Sequence, residues 1–355
     1  MTPEPEYWEI GSLFHLADFE PRGAPEEVPW ANGLLTGCGR DALRLVAKLA
    51  RHRRWWIPSY FCQEVVRSVL DEGIELLIYP DSPLDGKLDL SKIEERPGDA
   101  VLVINYFGLR GAHDILIPQG FASEIIEDHT HAPTSVWART SKADFCFSSL
   151  RKLYPLADGG ALWSPTGQRL PAMPRLTSEL KMGAFEKLTG MLLKRLYLQG
   201  HPITKQGFRP ILESGEQKLM GAEISAMTPL SRATLASFPL KHWDELQRRN
   251  FSALVQQTPP HPGFRILQPS SNDNVPFSAF CVFEEKKDCA RTHASLVANR
   301  VYPSRLWPMK EALLDGIPEE HARLSERSFS IPVDMRYDTA DIVRVAARLV
   351  EALRA

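Results

Sequence analysis

Phe145-Cys146-Phe147-Ser148-Ser149-Leu150-Arg151-Lys152, with Asp158-Gly159-Gly160 after it and Ile125-Ile126-Glu127-Asp128 before it, is the stretch whose reading decides the fold. It reads as an apolar strand ending in an aspartate, a second apolar strand ending in serines, and a lysine just beyond. Asp128 lies 24 residues ahead of Lys152, which leaves room for one strand and its connections.

Outward from this stretch the pattern alternates. Asp41 to Arg51 carries Ala42, Leu43, Leu45, Val46 and Leu49 at helical spacing after a Gly37-Cys38-Gly39 turn. Strand-like Trp55 to Pro58, helical Gln63 to Gly73, strand-like Glu75 to Tyr79 and short apolar runs at Val101 to Tyr106 and Glu124 to Glu127 follow. This rhythm predicts an α/β fold with a largely parallel sheet. Arg175 to Gln199 reads as a long amphipathic helix or a pair, and Leu230 to Gln257 as another that links two domains. Beyond it, Phe277 to Phe283 and Phe329 to Pro332 read as strands, Asp288 to Asn299 and Thr339 to Leu353 as helices. The expected division is a large α/β domain with an N-terminal arm over residues 1–235 and a small C-terminal α+β domain over 236–355.

A chain of 355 residues with 43% hydrophobic composition buries a large core. Lysine and arginine number 42 against 44 acidic residues, a net charge of −2 that gives no pull toward nucleic acid or an anionic membrane. The five cysteines include no CxxC pair and no metal-ligand spacing, which fits a reduced, cytoplasmic compartment. Met1 to Glu6 lacks the basic head and apolar run of a signal peptide, and no stretch reaches the length of a membrane span.

The same residues supply what pyridoxal phosphate (PLP) chemistry needs. Lys152 would form the imine and then move a proton as a base. Asp128 would pair with the pyridinium. Gly39 and Arg40 would present backbone N–H groups to a phosphate at a helix N-terminus, and Ser148 or Ser149 would add a hydroxyl. His131 reaches for the ring's phenolic oxygen, where its adjustable proton suits the role. Tyr60, Phe61 or Cys62 lies against the ring.

In order along the chain, Gly39-Arg40-Asp41-Ala42-Leu43, Ile57-Pro58-Ser59-Tyr60, Tyr106-Phe107-Gly108, Glu127-Asp128 with His131-Ala132, Phe147-Ser148 to Lys152, Asp158-Gly159-Gly160 and Ser330-Ile331-Pro332-Val333-Asp334 resemble the DegT/DnrJ/EryC1/StrS aminotransferases. The resemblance covers most of residues 33 to 353. It implies a fold-type I PLP-transferase: a three-layer αβα large domain with a mostly parallel sheet, plus the smaller C-terminal α+β domain. It further implies PLP, Lys152 as the Schiff-base lysine, a homodimer, glutamate as donor and a nucleotide-linked keto-sugar as acceptor. His201, Tyr302, Arg305 and Trp307 are the expected substrate-side residues. The sequence also departs from the pattern. Ser148 lies one residue closer to the lysine than the family's serine, the ring-stacking aromatic falls at Cys62, and Ile224-Ser225-Ala226-Met227-Thr228 stands where an Asn-x-Arg-Met segment is usual.

Plainer readings compete. A lysine after a strand is ordinarily a solvated surface residue, Asp128 fits a helix cap, His131 a satisfied core histidine, and Gly39 a simple turn. The ordered company these residues keep favours the cofactor reading. Arg51-His52-Arg53-Arg54 beside Trp55-Trp56 reads as a basic helix end before a buried strand rather than a nucleic-acid site. The helix at 175–199 reads as subunit packing or a cover over the substrate site rather than a membrane anchor. Two other functions stand beside aminotransfer: a PLP lyase, dehydratase or transferase acting on a non-sugar substrate, and a catalytically lapsed binding or regulatory protein.

Overall fold

The computed structural model describes residues 7–17, 26–49, 53–221 and 223–354. Met1 to Glu6 and, in the basic cluster, Arg51 and His52 lie outside the described residues. Leu34–Thr36 (β1) leads into the helix Gly39–Lys48 (α1). Arg54–Pro58 (β2), the helix Gln63–Leu70 (α2), Glu75–Tyr79 (β3), Asp99–Ile104 (β4), Glu124–Asp128 (β5), Phe145–Ser148 (β6) and Gly160–Trp163 (β7) follow. These strands form one sheet in the order β1-β7-β6-β5-β4-β2-β3. From β6 to β3 all neighbours are parallel, and β7 is antiparallel to both β6 and β1.

Every residue of β4 is buried because both faces of the sheet are covered. Leu102 and Ile104 join a cluster with Ala42 and Val46 of α1, whereas Val101 and Val103 pack with Tyr79 and Leu90 on the opposite face. Both faces of the sheet are therefore covered, and the mostly parallel α/β sheet that the strand rhythm predicts is present.

After β7 the chain forms a helical hairpin, Ser178–Leu198 (α3) and Lys205–Leu219 (α4). The sequence reading anticipated the first helix and had nothing for the second. Pro210 within α4 lacks an N–H, and Gly207 and Gly215 lower helix propensity, so the local signal is weak. Close packing supplies what propensity lacks: a Cβ on Gly215 would lie 2.6 Å from Lys187 Cγ and 2.8 Å from the Gly183 carbonyl.

The single helix expected over Leu230 to Gln257 is two: Pro229–Ala236, and Leu240–Gln257 (α5). The break comes at Pro239, whose ring disfavours helical backbone at the preceding residue. Beyond α5, Phe264–Ile266 (β8), Ser278–Phe283 (β9) and Ser328–Pro332 (β10) form an antiparallel sheet in chain order. Lys286–Ala298, Glu319–Glu326 and Thr339–Arg354 (α6) are the described helices of this part of the chain. Its core joins Phe251 and Leu254 of α5 to Phe283, Ile331, Val345 and Leu349, and takes in Ile10 from the N-terminal segment. Ile10–Gly11 pairs in parallel with Val301–Tyr302. No described helix is long and apolar enough to cross a membrane.

Candidate active site

The register of the parallel strands places Ile104 opposite Asp128 and Asp128 opposite Phe147, so β4, β5 and β6 end level with one another. Asp128 is the last residue of β5, and Lys152 closes the short 3-10 turn Leu150–Lys152 just past β6. One cavity at this edge is lined by Asp128 and Lys152 together with Gly39, Arg40, Phe61, Cys62, His131, Ser149 and Trp307. Ligands bind characteristically outside the carboxyl ends of the strands in open α/β sheets.

Asp128 is 7% exposed and accepts a hydrogen bond from the Thr130 N–H at 2.8 Å. Burial raises its pKa against the lowering effect of Thr130, and no salt bridge to it is present among the described residues. A buried carboxylate in this state favours a cationic partner such as a protonated ring nitrogen. Lys152 is accessible from the cavity, yet the protein packed around it and then the Arg151 charge push its ammonium below the ordinary lysine range. A larger neutral fraction suits a nucleophile and base.

The turn before α1 sits hard against the lysine's strand. A Cβ on Gly39 would fall 2.7 Å from Ser149 Cβ and 2.9 Å from its backbone nitrogen, and one on Gly160 would meet the Cys38 carbonyl oxygen at 2.2 Å. These glycines bring the N-terminal N–H groups of α1, which have no intrahelical partners, to the cavity wall beside Ser149. The Ser149 N–H itself donates to Thr130 Oγ1 at 3.0 Å.

His131 accepts a hydrogen bond at Nδ1 from the Phe107 N–H, 3.1 Å away, so its proton belongs on Nε2. Its ring stacks on Phe277 at 4.5 Å, Phe107 at 5.0 Å and Trp307 at 5.7 Å. Burial, and then the Lys152 charge, push its pKa to about 3. That shift favours the neutral imidazole at physiological pH. Phe107 holds a left-handed backbone, φ 52°, between this bond and its carbonyl's acceptance of the Phe277 N–H at 2.7 Å.

Of the expected residues, Lys152, Asp128, His131, Gly39, Arg40, Ser149, Phe61, Cys62 and Trp307 come together, and others do not. Between the serines the strand's alternation decides: Phe147 and Ser149 line the cavity, while Ser148 is buried away from it, its Oγ without a hydrogen-bond partner. Tyr60 is buried beneath the site, its hydroxyl donating to the Leu306 carbonyl at 2.6 Å. Tyr302 is tied to Lys205 at 3.0 Å, and Arg305 and His201 are exposed; none of the three lines the cavity. Asp158 accepts from the Thr228 N–H and hydroxyl, both at 2.7 Å, and anchors the helix Pro229–Ala236.

The hairpin contributes residues that sequence reasoning missed. Arg151 forks onto Glu216 of α4 at 2.5 and 2.7 Å, and Lys187 of α3 reaches the same carboxylate at 2.5 Å. These cations hold Glu216 far below the ordinary carboxylate range against its burial. The buried positions Phe208, Leu212, Gly215 and Leu219 follow helical spacing, a signal that could have revealed α4 and thus Glu216.

No protein-family profile matches the sequence, and no curated protein does. Solved structures do share the fold. Helicobacter pylori PseC, an aminotransferase involved in pseudoaminic acid biosynthesis, is 13% identical with a TM-score of 0.62, over 98% of this chain and 100% of that one. The aminotransferase TlmJ from Streptoalloteichus hindustanus is 14% identical with a TM-score of 0.61, over 91% of this chain and 86% of that one. DesI, solved in the presence of its TDP-sugar product, is 18% identical with a TM-score of 0.60, over 91% of this chain and 81% of that one. The chain shares its overall fold with these aminotransferase structures.

Proposed function

We propose that this protein is a PLP-dependent aminotransferase that places an amino group on a sugar carbonyl. The observation that carries the reading is a single cavity walled by Lys152, the cation-seeking Asp128 and the N-terminus of α1, on a fold shared with aminotransferases. Bound there, PLP would supply an electron sink for negative charge at the substrate carbon. Asp128 would hold the proton on the ring nitrogen, and the N–H groups at Gly39 and Arg40 with Ser149 would hold the phosphate. Lys152, its proton affinity lowered, would take and return the proton at the substrate carbon. His131 would donate from Nε2 as a neutral group throughout.

The finer reading has glutamate as donor, a nucleotide-linked keto-sugar as acceptor, a homodimer as the working unit and a domain division near residue 235. The TDP-sugar product present with DesI supports the acceptor class. The test is a visible absorption spectrum after addition of PLP, followed by borohydride reduction and peptide mapping. A new violet band and a reduced label on Lys152 are expected. A flat spectrum with no labelled lysine would remove the reading and favour a lapsed binding protein.

A further inference from the structure

The helix α3 carries its polarity inside out. Its inward face holds Gly183, Lys187, Gly190 and Lys194, and the two lysines are satisfied there by Glu216 and Glu9. Its outward face holds Met182, Phe185 and Leu192, which are 52%, 66% and 44% exposed. With the half-buried Thr189 and Leu196 these residues recur at intervals of three and four, forming a ridge about 21 Å long. None of the five belongs to a described core cluster. Large apolar side chains aligned on one exposed face mark an interaction surface.

The spacing says what kind of partner fits. Met182, Thr189 and Leu196 take the a positions of a heptad and Phe185 and Leu192 the d positions, the seam along which one helix packs on another. The seam has borders of opposite charge. At the g positions stand Lys181 and Arg195 with Leu188 between them, and at the e positions Glu179 and Glu186, followed by Leu193. Lys181 is exposed and has no ion pair among the described residues. Glu186 is paired with Lys218 at 2.7 Å and remains partly exposed.

Two copies of α3 complement each other in one orientation. In parallel, each g position meets the e position of the following heptad on the other helix. Lys181 then faces Glu186 of the second copy and Leu188 faces its Leu193, on both sides of the two-fold axis. Antiparallel pairing would set Lys181 against Arg195 and Glu186 against Glu186, like charges in both cases.

We propose that α3 is the seam of a homodimer, in which two copies of this chain pack the ridge from Met182 to Leu196 in parallel about a two-fold axis. The assignment rests on the homodimer reading and deepens it by naming the face and the orientation. It also gives the hairpin a second support. The inner side of α3 carries Lys187 to Glu216 at the cavity wall, and the outer side rests on the other subunit.

The test is the molar mass of the purified protein, measured by light scattering after size exclusion. The wild type should weigh about twice the 40.0 kDa of one chain. Phe185→Glu places an unpaired charge in the seam and should weaken association by about a hundredfold. Lys181→Glu, which sets acid against acid at both g–e contacts, should weaken it by about three- to tenfold. Both side chains are exposed, so the circular dichroism spectrum should not change. Leu192→Cys reads the orientation. A parallel seam puts position 192 beside its own copy, within disulfide reach, and mild oxidation should cross-link this variant and not the wild type. An antiparallel seam would put position 192 beside position 182 and give no cross-link. A dimeric wild type whose Phe185→Glu variant stays dimeric would remove this face and leave the homodimer reading standing. A monomeric wild type would remove both, and its sedimentation with phosphatidylglycerol vesicles would assign the ridge to a lipid surface. Disruption by Phe185→Glu without a cross-link in Leu192→Cys would overturn the parallel pairing.

Discussion

The C-terminal edge of the sheet and the α3–α4 hairpin each send one carboxylate to the same cavity, and the two are in opposite electrostatic states. Asp128, at the end of β5, is buried without a salt bridge among the described residues, and burial lifts its pKa. Glu216, on α4, is gripped by Arg151 and Lys187 and held well below the ordinary range. The difference is one of partners: the first carboxylate has no cation beside it among the described residues, and the second is held by two.

Removing the lysine between them should have the largest effect. Lys152→Ala is expected to abolish aminotransfer and the borohydride-trapped label while leaving the circular dichroism spectrum unchanged; measurable turnover would remove the lysine from the chemistry. Asp128→Ala comes next. Loss of the ring-nitrogen partner should lower turnover by about 10²–10⁴-fold, read in single-turnover reactions with donor, and a loss under threefold would place Asp128 outside the site. A smaller effect is expected at the turn. The Cβ of Gly39→Ala would meet Ser149 at 2.7 Å and push α1's N-terminus outward. PLP affinity should fall about tenfold, measured by absorbance titration, at a stability cost of about 1–3 kcal/mol from overpacking.

The two regions also differ in how much of them the sequence discloses. The sheet edge is legible because buried parallel strands read as apolar runs, and the polar residue that ends each run is conspicuous. Lys152, Asp128 and Gly39 stand out in this way. Finer placement failed where side-chain direction mattered: alternation along β6 turns Ser149 rather than Ser148 to the cavity, and Tyr60 supports the loop carrying Trp307 from below. The hairpin is poorly legible because its packing depends on glycines and on buried lysines. The buried face of α3 includes Gly183, Lys187, Gly190 and Lys194, residues whose types suggest a loop or a solvated face. Glu216, arriving from a helix that contains Pro210, explains why Lys187 is inside.

The opposed carboxylates make a last prediction about stability, the smallest effect of the set and the one most specific to the comparison. For Asp128 the folded pKa lies above the unfolded value of about 3.9, so the native state binds the proton more tightly. Stability is then lost as pH rises from the unfolded value through the folded one. Asp128→Asn should therefore raise the melting temperature of the cofactor-free protein at pH 7, by an amount worth about 1 kcal/mol. For Glu216 the folded pKa lies below the unfolded value of about 4.3. Its contribution is full above that value and disappears as pH falls toward the folded one. Glu216→Gln should lower stability at pH 7 by about 1–2 kcal/mol, between the worth of exposed and buried pairs, because the carboxylate is partly exposed. Thermal melts of the cofactor-free protein at pH 7 should thus shift in opposite directions; near pH 4 the Asp128→Asn shift should largely vanish, while most of the Glu216→Gln shift should persist until the pH falls well below that. Shifts of the same sign would mean that Asp128 already has a cationic partner within the chain, and the contrast between the two regions would fail.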